Sequence, residues 1–174
     1  LIKADAFVGV GYGETMGAFL RHLSGLTDKN LSVISMTGGV MPYIRQIGNV
    51  IIDIKHYLIP APLVVGSKEL TEAILKEKSV SDIVEMTEKI NVVVSSLGGM
   101  QEHSTILKSG LLTPEKFESL KSKGAVGDML MHFMDEDGNL VDDEIEDRII
   151  STKLDKLKNY DYIIVAAGGD AKLP

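Results

Sequence analysis

The sequence predicts an α/β fold: a mostly parallel, Rossmann-like sheet flanked by helices. Short β-branched runs alternate with segments of helical periodicity, which in a single domain implies parallel strands joined by covering helices. Four of those runs end in glycines: "AFVGVGYG" (6–13), "LSVISMTGG" (31–39), "INVVVSSLGG" (90–99) and "YDYIIVAAGGD" (160–170). With 174 residues, 44% apolar and 25% charged, the chain is long enough for one domain with a real core.

Each element has its own signal. After the first glycine turn, "ETMGAFLRHLSG" sets Met16, Phe19, Leu20 and Leu23 on one helical face. "LSVISMTGG" repeats the strand-to-glycine pattern. In "NVIIDIKHYLIPAPL" only the end, "HYLIPAPL", reads as extended, because Pro60 and Pro62 forbid helix there. Ser67 caps a helix carrying Leu70, Ile74 and Leu75, and Ser79 starts another with Ile83, Val84 and Met86. "TPEKFESLKSKG" is a punctuated helix, with Thr113 at the N-cap, Pro114 at the first position and Gly124 past the end. "DMLMHFMDEDGNLVDD" reads as two strands around an Asp-Gly turn.

Composition excludes several classes. The formal charge of −7 gives the chain no pull on a nucleic-acid backbone. No apolar run approaches the ~20 residues that span a bilayer, and no signal-peptide pattern opens the chain. Without cysteine there is no disulfide, thiolate zinc site or cysteine nucleophile, which fits a cytoplasmic protein. The chain begins at Leu1 without Met and ends at "GGDAKLP", the look of a fragment.

The glycine pairs point to a pocket. In open α/β sheets ligands sit at the carboxyl ends of strands, and glycines there let backbone N–H groups approach an anion. "GVGYGETMG" is not a dinucleotide fingerprint, since Glu14 or Met16 stands where the third glycine belongs. Gly11, Gly13 and the Thr15 hydroxyl are nevertheless placed to cradle one phosphate, and a plain strand-to-helix turn is the alternative. Lys172 is the only basic residue beside a glycine-rich strand end. Asp128, following Gly-Ala-Val-Gly where an apolar strand begins, is either a turn cap or an acceptor of ligand hydroxyls.

Other chemistries fail on spacing. "DEDGNLVDDEIE" has Asp135, Asp137, Asn139 and Glu146 at calcium-loop positions, but Leu140 replaces the required glycine, so it reads as a hairpin with an acidic flank. The four histidines, His22, His56, His103 and His132, show no metal-binding spacing, and no nucleophile elbow is present.

The motifs "VGVGYGETM", "SMTGGVMPY", "YLIPAPLVV", "ILKSGLLTPEKFESLKSKGAVGDMLMHFMDEDG" and "IIVAAGG" followed by Lys resemble the effector-binding domain of SorC-type (sorbitol-operon) transcriptional regulators. "GGVMPYIRQIG" is most similar to the regulators that respond to phosphorylated autoinducer-2. The resemblance implies a fold related to sugar-phosphate isomerases, deaminases and CoA transferases. It implies that residues 1–174 are one effector-binding domain that senses a phosphorylated sugar without turning it over. Such a domain uses no cofactor and no metal, and has no membrane association. The family's helix-turn-helix, which meets operator DNA, and its C-terminal end are expected outside this chain. A homodimer or homotetramer is expected.

The resemblance also places the site. Tyr12, Gly13, Glu14 and Thr15 form a first pocket loop, Thr37, Gly38 and Gly39 a second, and Gly98 and Gly99 a third. Asp128 and Leu130 lie on the sugar side and Lys172 on the phosphate. "SSLGGMQ" departs from the Gly-Ile-Gly-like turn of the family at the third loop. A sugar-phosphate isomerase or deaminase on the same fold is the alternative, with Asp128 and Glu14 as its acid/base candidates. A CoA transferase would need Glu14 as nucleophile.

Overall fold

The structure is a computed structural model, and it describes residues 5–26, 30–40, 54–141 and 143–168. Its centre is a parallel sheet of β1 (Phe7–Val10), β2 (Ser32–Ser35), β3 (Lys55–Tyr57), β4 (Val92–Gly99) and β7 (Tyr162–Ala166). The order is β3-β2-β1-β4, with β7 pairing on the far side of β4. β1 is flanked by β2 and β4, Val8 standing in register with both Val33 and Val92.

Alternation along these strands builds two half-cores. Val8, Val10, Val33, Val92 and Val94 face α1 (Glu14–Leu26) and bury its Met16, Leu20 and Leu23, with Phe19 packed at the edge. The helical stripe read from the sequence is the buried one. Ile34, Met36 and Val93 face the other way, where Ile83 and Met86 of α3 (Lys78–Met86) and Leu157 of a short 3-10 segment cover them. Among the described residues β7 is thinly covered, with Ala166 packing against the α1 half-core. Tyr162, Ile163, Ile164 and Val165 are 41–49% exposed, unusual for a parallel strand of this composition.

Helix signals were accurate where chemistry is local. Ser67 caps α2 (Lys68–Lys76), its hydroxyl accepting from Leu70 N. Thr113 accepts from Lys116 N at the start of α5 (Pro114–Ser122), and Gly124 follows with φ of +98°. The start expected at Ser79 lies two residues earlier. Glu77 has extended backbone between α2 and α3, and its carbonyl receives Val80 N and Ser81 N.

The larger departure is in the acidic hairpin. β5 (Gly127–Met129) and β6 (His132–Met134) pair antiparallel around a two-residue turn at Leu130 and Met131. Both turn residues are left-handed, with φ of +56° and +71°, where glycine or asparagine is the usual occupant. The Asp-Gly turn does exist, but it joins β6 only to a single bridge, Met134 with Leu140. Asp135 organises it, Oδ1 accepting from Asp137 N and Asn139 N. The described residues also include two short helices, α4 (Thr105–Lys108) and α6 (Asp143–Glu146).

Candidate functional site

β4 positions the site by being longer than its neighbours. Val92–Ser96 pairs within the parallel sheet, while Leu97, Gly98 and Gly99 run on past it and pair antiparallel with β5. That extension turns the β5–β6 hairpin back over the strand ends and sets Asp128 opposite Gly98.

Fit there is closest where side chains are missing. A Cβ at Gly98 would collide with Asp128 Oδ1 and lie 3.0 Å from its Cγ, and a Cβ at Gly127 would lie 2.6 Å from the Gly98 carbonyl oxygen. These are contacts of close approach. They explain why glycine precedes the acid in "GAVGD". Asp128 itself is 8% exposed, and its Oδ2 accepts from Met131 N at 3.2 Å. It therefore holds a turn-capping bond and also lines a cavity.

The cavity, about 270 Å³, lies at the ends of β1 and β4. Tyr12, Gly13, Glu14 and Thr15 line it at the start of α1, Gly98 and Gly99 at the end of β4, and Asp128 from β5. All seven were singled out in the sequence. Gly13 has φ of +129°, and its carbonyl accepts Met16 N and Gly17 N, so α1 opens its first turn at the cavity. A helix N-terminus so placed favours an anion.

Four other expected residues stand elsewhere. Thr37 bridges to Ser151, Gly38 N donates to Ile150 O and Gly39 N to Ala61 O, so this loop is roofed by two other segments. Leu130 is 3% exposed and belongs to the core beneath the turn. None of the four lines the cavity. Lys172 lies outside the described residues.

The cavity also has a wall of residues outside the expected site set. Gln101, His103, Ser104, Thr105 and Lys108 line it from the segment after β4, with Ser96 and Gly168 completing the rim. The Ser104 hydroxyl is buried without a hydrogen-bond partner among the described residues. An unsatisfied buried hydroxyl is a group that a bound ligand can satisfy. The one legible signal was position: polar residues directly following a Gly-Gly strand end.

Among the described residues no cluster of acids and histidines has metal-site geometry, and no helix is long and apolar enough to cross a membrane.

Fold and cavity together define a class, an α/β domain with a cavity at the strand ends where loops diverge, the usual place for a ligand in open α/β sheets. The chain matches the family model described as "Putative sugar-binding domain" over residues 1–174. It belongs to that family, the sugar-binding domain of SorC- and DeoR-type transcriptional regulators, as its motifs suggested. It is 32% identical to the transcriptional regulator LsrR of Klebsiella pneumoniae, over 99% of this chain and 54% of that protein. The chain thus spans about half the length of the curated relatives it matches. A DeoR family transcriptional regulator from Listeria monocytogenes superposes with a TM-score of 0.81 at 24% identity, over 95% of this chain and 68% of the other. The full-length sorbitol operon regulator SorC from Klebsiella pneumoniae superposes at 0.77 with 17% identity, over 99% and 58%. Both share the fold.

Proposed function

We propose that this domain is the effector sensor of a DNA-binding regulator of carbohydrate genes, and that its effector is a phosphorylated sugar. One observation carries the reading. The cavity brings a helix N-terminus, suited to a phosphate, within one enclosure with a buried carboxylate, suited to sugar hydroxyls. Gly13 and Thr15 take the phosphate together with Lys172, and Asp128 takes hydroxyls with help from the Ser104 hydroxyl. DNA contact falls to a part of the polypeptide outside these residues, consistent with the charge of −7 here. The intact regulator works as a homo-oligomer in the cytoplasm.

The test is a melting-shift comparison of ribose 5-phosphate and fructose 6-phosphate with ribose and fructose. A ligand at 100 times its dissociation constant adds about 2.7 kcal/mol. Equal shifts from the free sugar and its phosphate would refute the reading.

A second reading, a sugar-phosphate isomerase or deaminase, gains one observation. His103 lines the same cavity as Glu14 and Asp128, giving three groups able to move protons. Product analysis by NMR over hours separates the two, because a sensor returns its ligand unchanged.

A further inference from the structure

We infer that His132 and Glu146 form a protonation-dependent bolt that positions Asp128, so that the charge on a buried imidazole sets how well the cavity is formed. Its functional meaning rests on the sugar-phosphate reading above, while its geometry does not.

His132 is wholly buried. Its Nδ1 lies 2.7 and 2.9 Å from the two Glu146 oxygens, and its Nε2 lies 2.9 Å from the Thr152 carbonyl oxygen. A carboxylate and a carbonyl only accept, so both ring nitrogens must donate, and only imidazolium does that. Either neutral tautomer turns a lone pair against an acceptor inside the protein. Among the described residues the charged neighbours are few. Glu146 faces the ring from α6, and Lys153 stands behind it with Nζ 2.7 Å from Glu146 Oε1. Thr152 offers only its carbonyl, the cross-strand partner Met129 is apolar, and Asp128 on β5 turns its carboxylate to Met131 N. Asp147, beside Glu146, is paired with Lys68.

The ring matters to Asp128 because of where the hairpin is strained. His132 directly follows Leu130 and Met131, both held left-handed at a steric cost. The tip is tied to one strap, residues 146–153, at two points: Ser151 Oγ donates to Leu130 O at 2.8 Å, and His132 bridges Glu146 and Thr152. Beside the β5–β6 ladder, the turn is also held by the bond from Met131 N to Asp128 itself. Loss of the imidazolium removes one tie to the strap, lets the turn relax toward ordinary φ, and frees Asp128 from its place over Gly98. His132 and Glu146 are positioning residues, since neither lines the cavity together with Asp128.

Residue-resolved amide exchange of the chain without ligand tests this across about pH 5–8, where histidine charge changes. After correction for intrinsic rates, Met131 protection should fall roughly tenfold or more from the acid to the alkaline side, the scale of one lost charge-assisted hydrogen bond. Amides of β1 and β2 should keep theirs. His132→Phe should leave Met131 poorly protected at every pH. Glu146→Gln should lower Met131 protection on the acid side as well, because the ring loses its anionic partner, and it serves if His132→Phe does not fold. A flat Met131 profile in the unmodified protein overturns the inference, and so does loss shared equally by β1 and β2. Affinity for ribose 5-phosphate or fructose 6-phosphate should follow the same pH transition. If neither sugar phosphate binds, the functional reading fails for those sugars, while Met131 exchange still decides the bolt.

Discussion

Gly98→Ala is the smallest change that tests how the cavity is built. The added Cβ would collide with Asp128 Oδ1 and stand 3.0 Å from Cγ and 3.6 Å from Oδ2. Gly98 is not left-handed, so backbone strain contributes nothing and the cost is steric. The backbone cannot retreat, because Gly98 is registered with Asp128 in the β4–β5 ladder and Gly127 packs against its carbonyl. The carboxylate must rotate instead, which takes Oδ2 away from Met131 N. Overpacking costs about 1–3 kcal/mol, and a hydrogen bond to a charged group about 1.5–3 kcal/mol. A loss near 3 kcal/mol lowers the melting temperature by about 6–12 °C in a chain of this size. The assay is urea unfolding of a double-mutant cycle with Asp128→Ala. If the clash is with that carboxylate, Gly98→Ala should cost less than about 0.5 kcal/mol once Asp128 is truncated. An equal cost in both backgrounds would refute the argument.

Four further outcomes follow from the same contacts. Met131→Gly relieves about 1–2 kcal/mol of left-handed strain but empties a site 1% exposed, worth about 2–5 kcal/mol, so urea unfolding should find a net loss. Burial raises the Glu146 carboxyl, but hydrogen bonds from His132 and Lys153 outweigh it and hold the group below its ordinary 4.5. The unfolded chain therefore takes up this proton first, and the stability Glu146 contributes is complete above 4.5 and lost as pH falls toward the folded value. Glu146→Gln should flatten that acid limb in melting curves. Thr113→Ala removes the acceptor for Lys116 N and should cost about 1 kcal/mol, with ligand affinity unchanged in calorimetry. Asp128→Asn should weaken calorimetric binding of a sugar phosphate by about 1.5–3 kcal/mol, and unchanged affinity would return Asp128 to a turn cap alone.

What the sequence made legible was what is decided within a few residues. Ser67 and Thr113 are caps because a hydroxyl reaches an N–H three residues on, and Met16, Leu20 and Leu23 share a face because of the helical period. Tertiary override hid the rest. Leu130 and Met131 carry no turn signal, yet they occupy the hairpin turn because burial and the ties to Asp128 and Ser151 hold them there. The more conventional Asp-Gly signal was spent on a lesser turn. Ser104 and His103 reach the cavity only through the path taken after β4 leaves the sheet.

Strand order explains why equal-looking glycine pairs came to unequal ends. The chain goes from β1 outward to β2 and β3, then returns to the other side of β1 for β4 and β7. The loops after β1 and β4 therefore diverge at one point, and a crevice opens between them, as it does at the switch point of any open α/β sheet. Tyr12–Thr15 and Gly98–Gly99 stand on its two sides, and both line the cavity. β2 lies one strand outside the switch. Its Thr37-Gly38-Gly39 turn meets no diverging neighbour, and the segments carrying Ala61 and Ile150 close over it by backbone hydrogen bonds. Gly38 is thus a glycine of packing, since a Cβ there would strike the Pro62 carbonyl. A strand-end glycine pair marks where backbone is approached closely, and topology decides whether a ligand or another stretch of the chain approaches it.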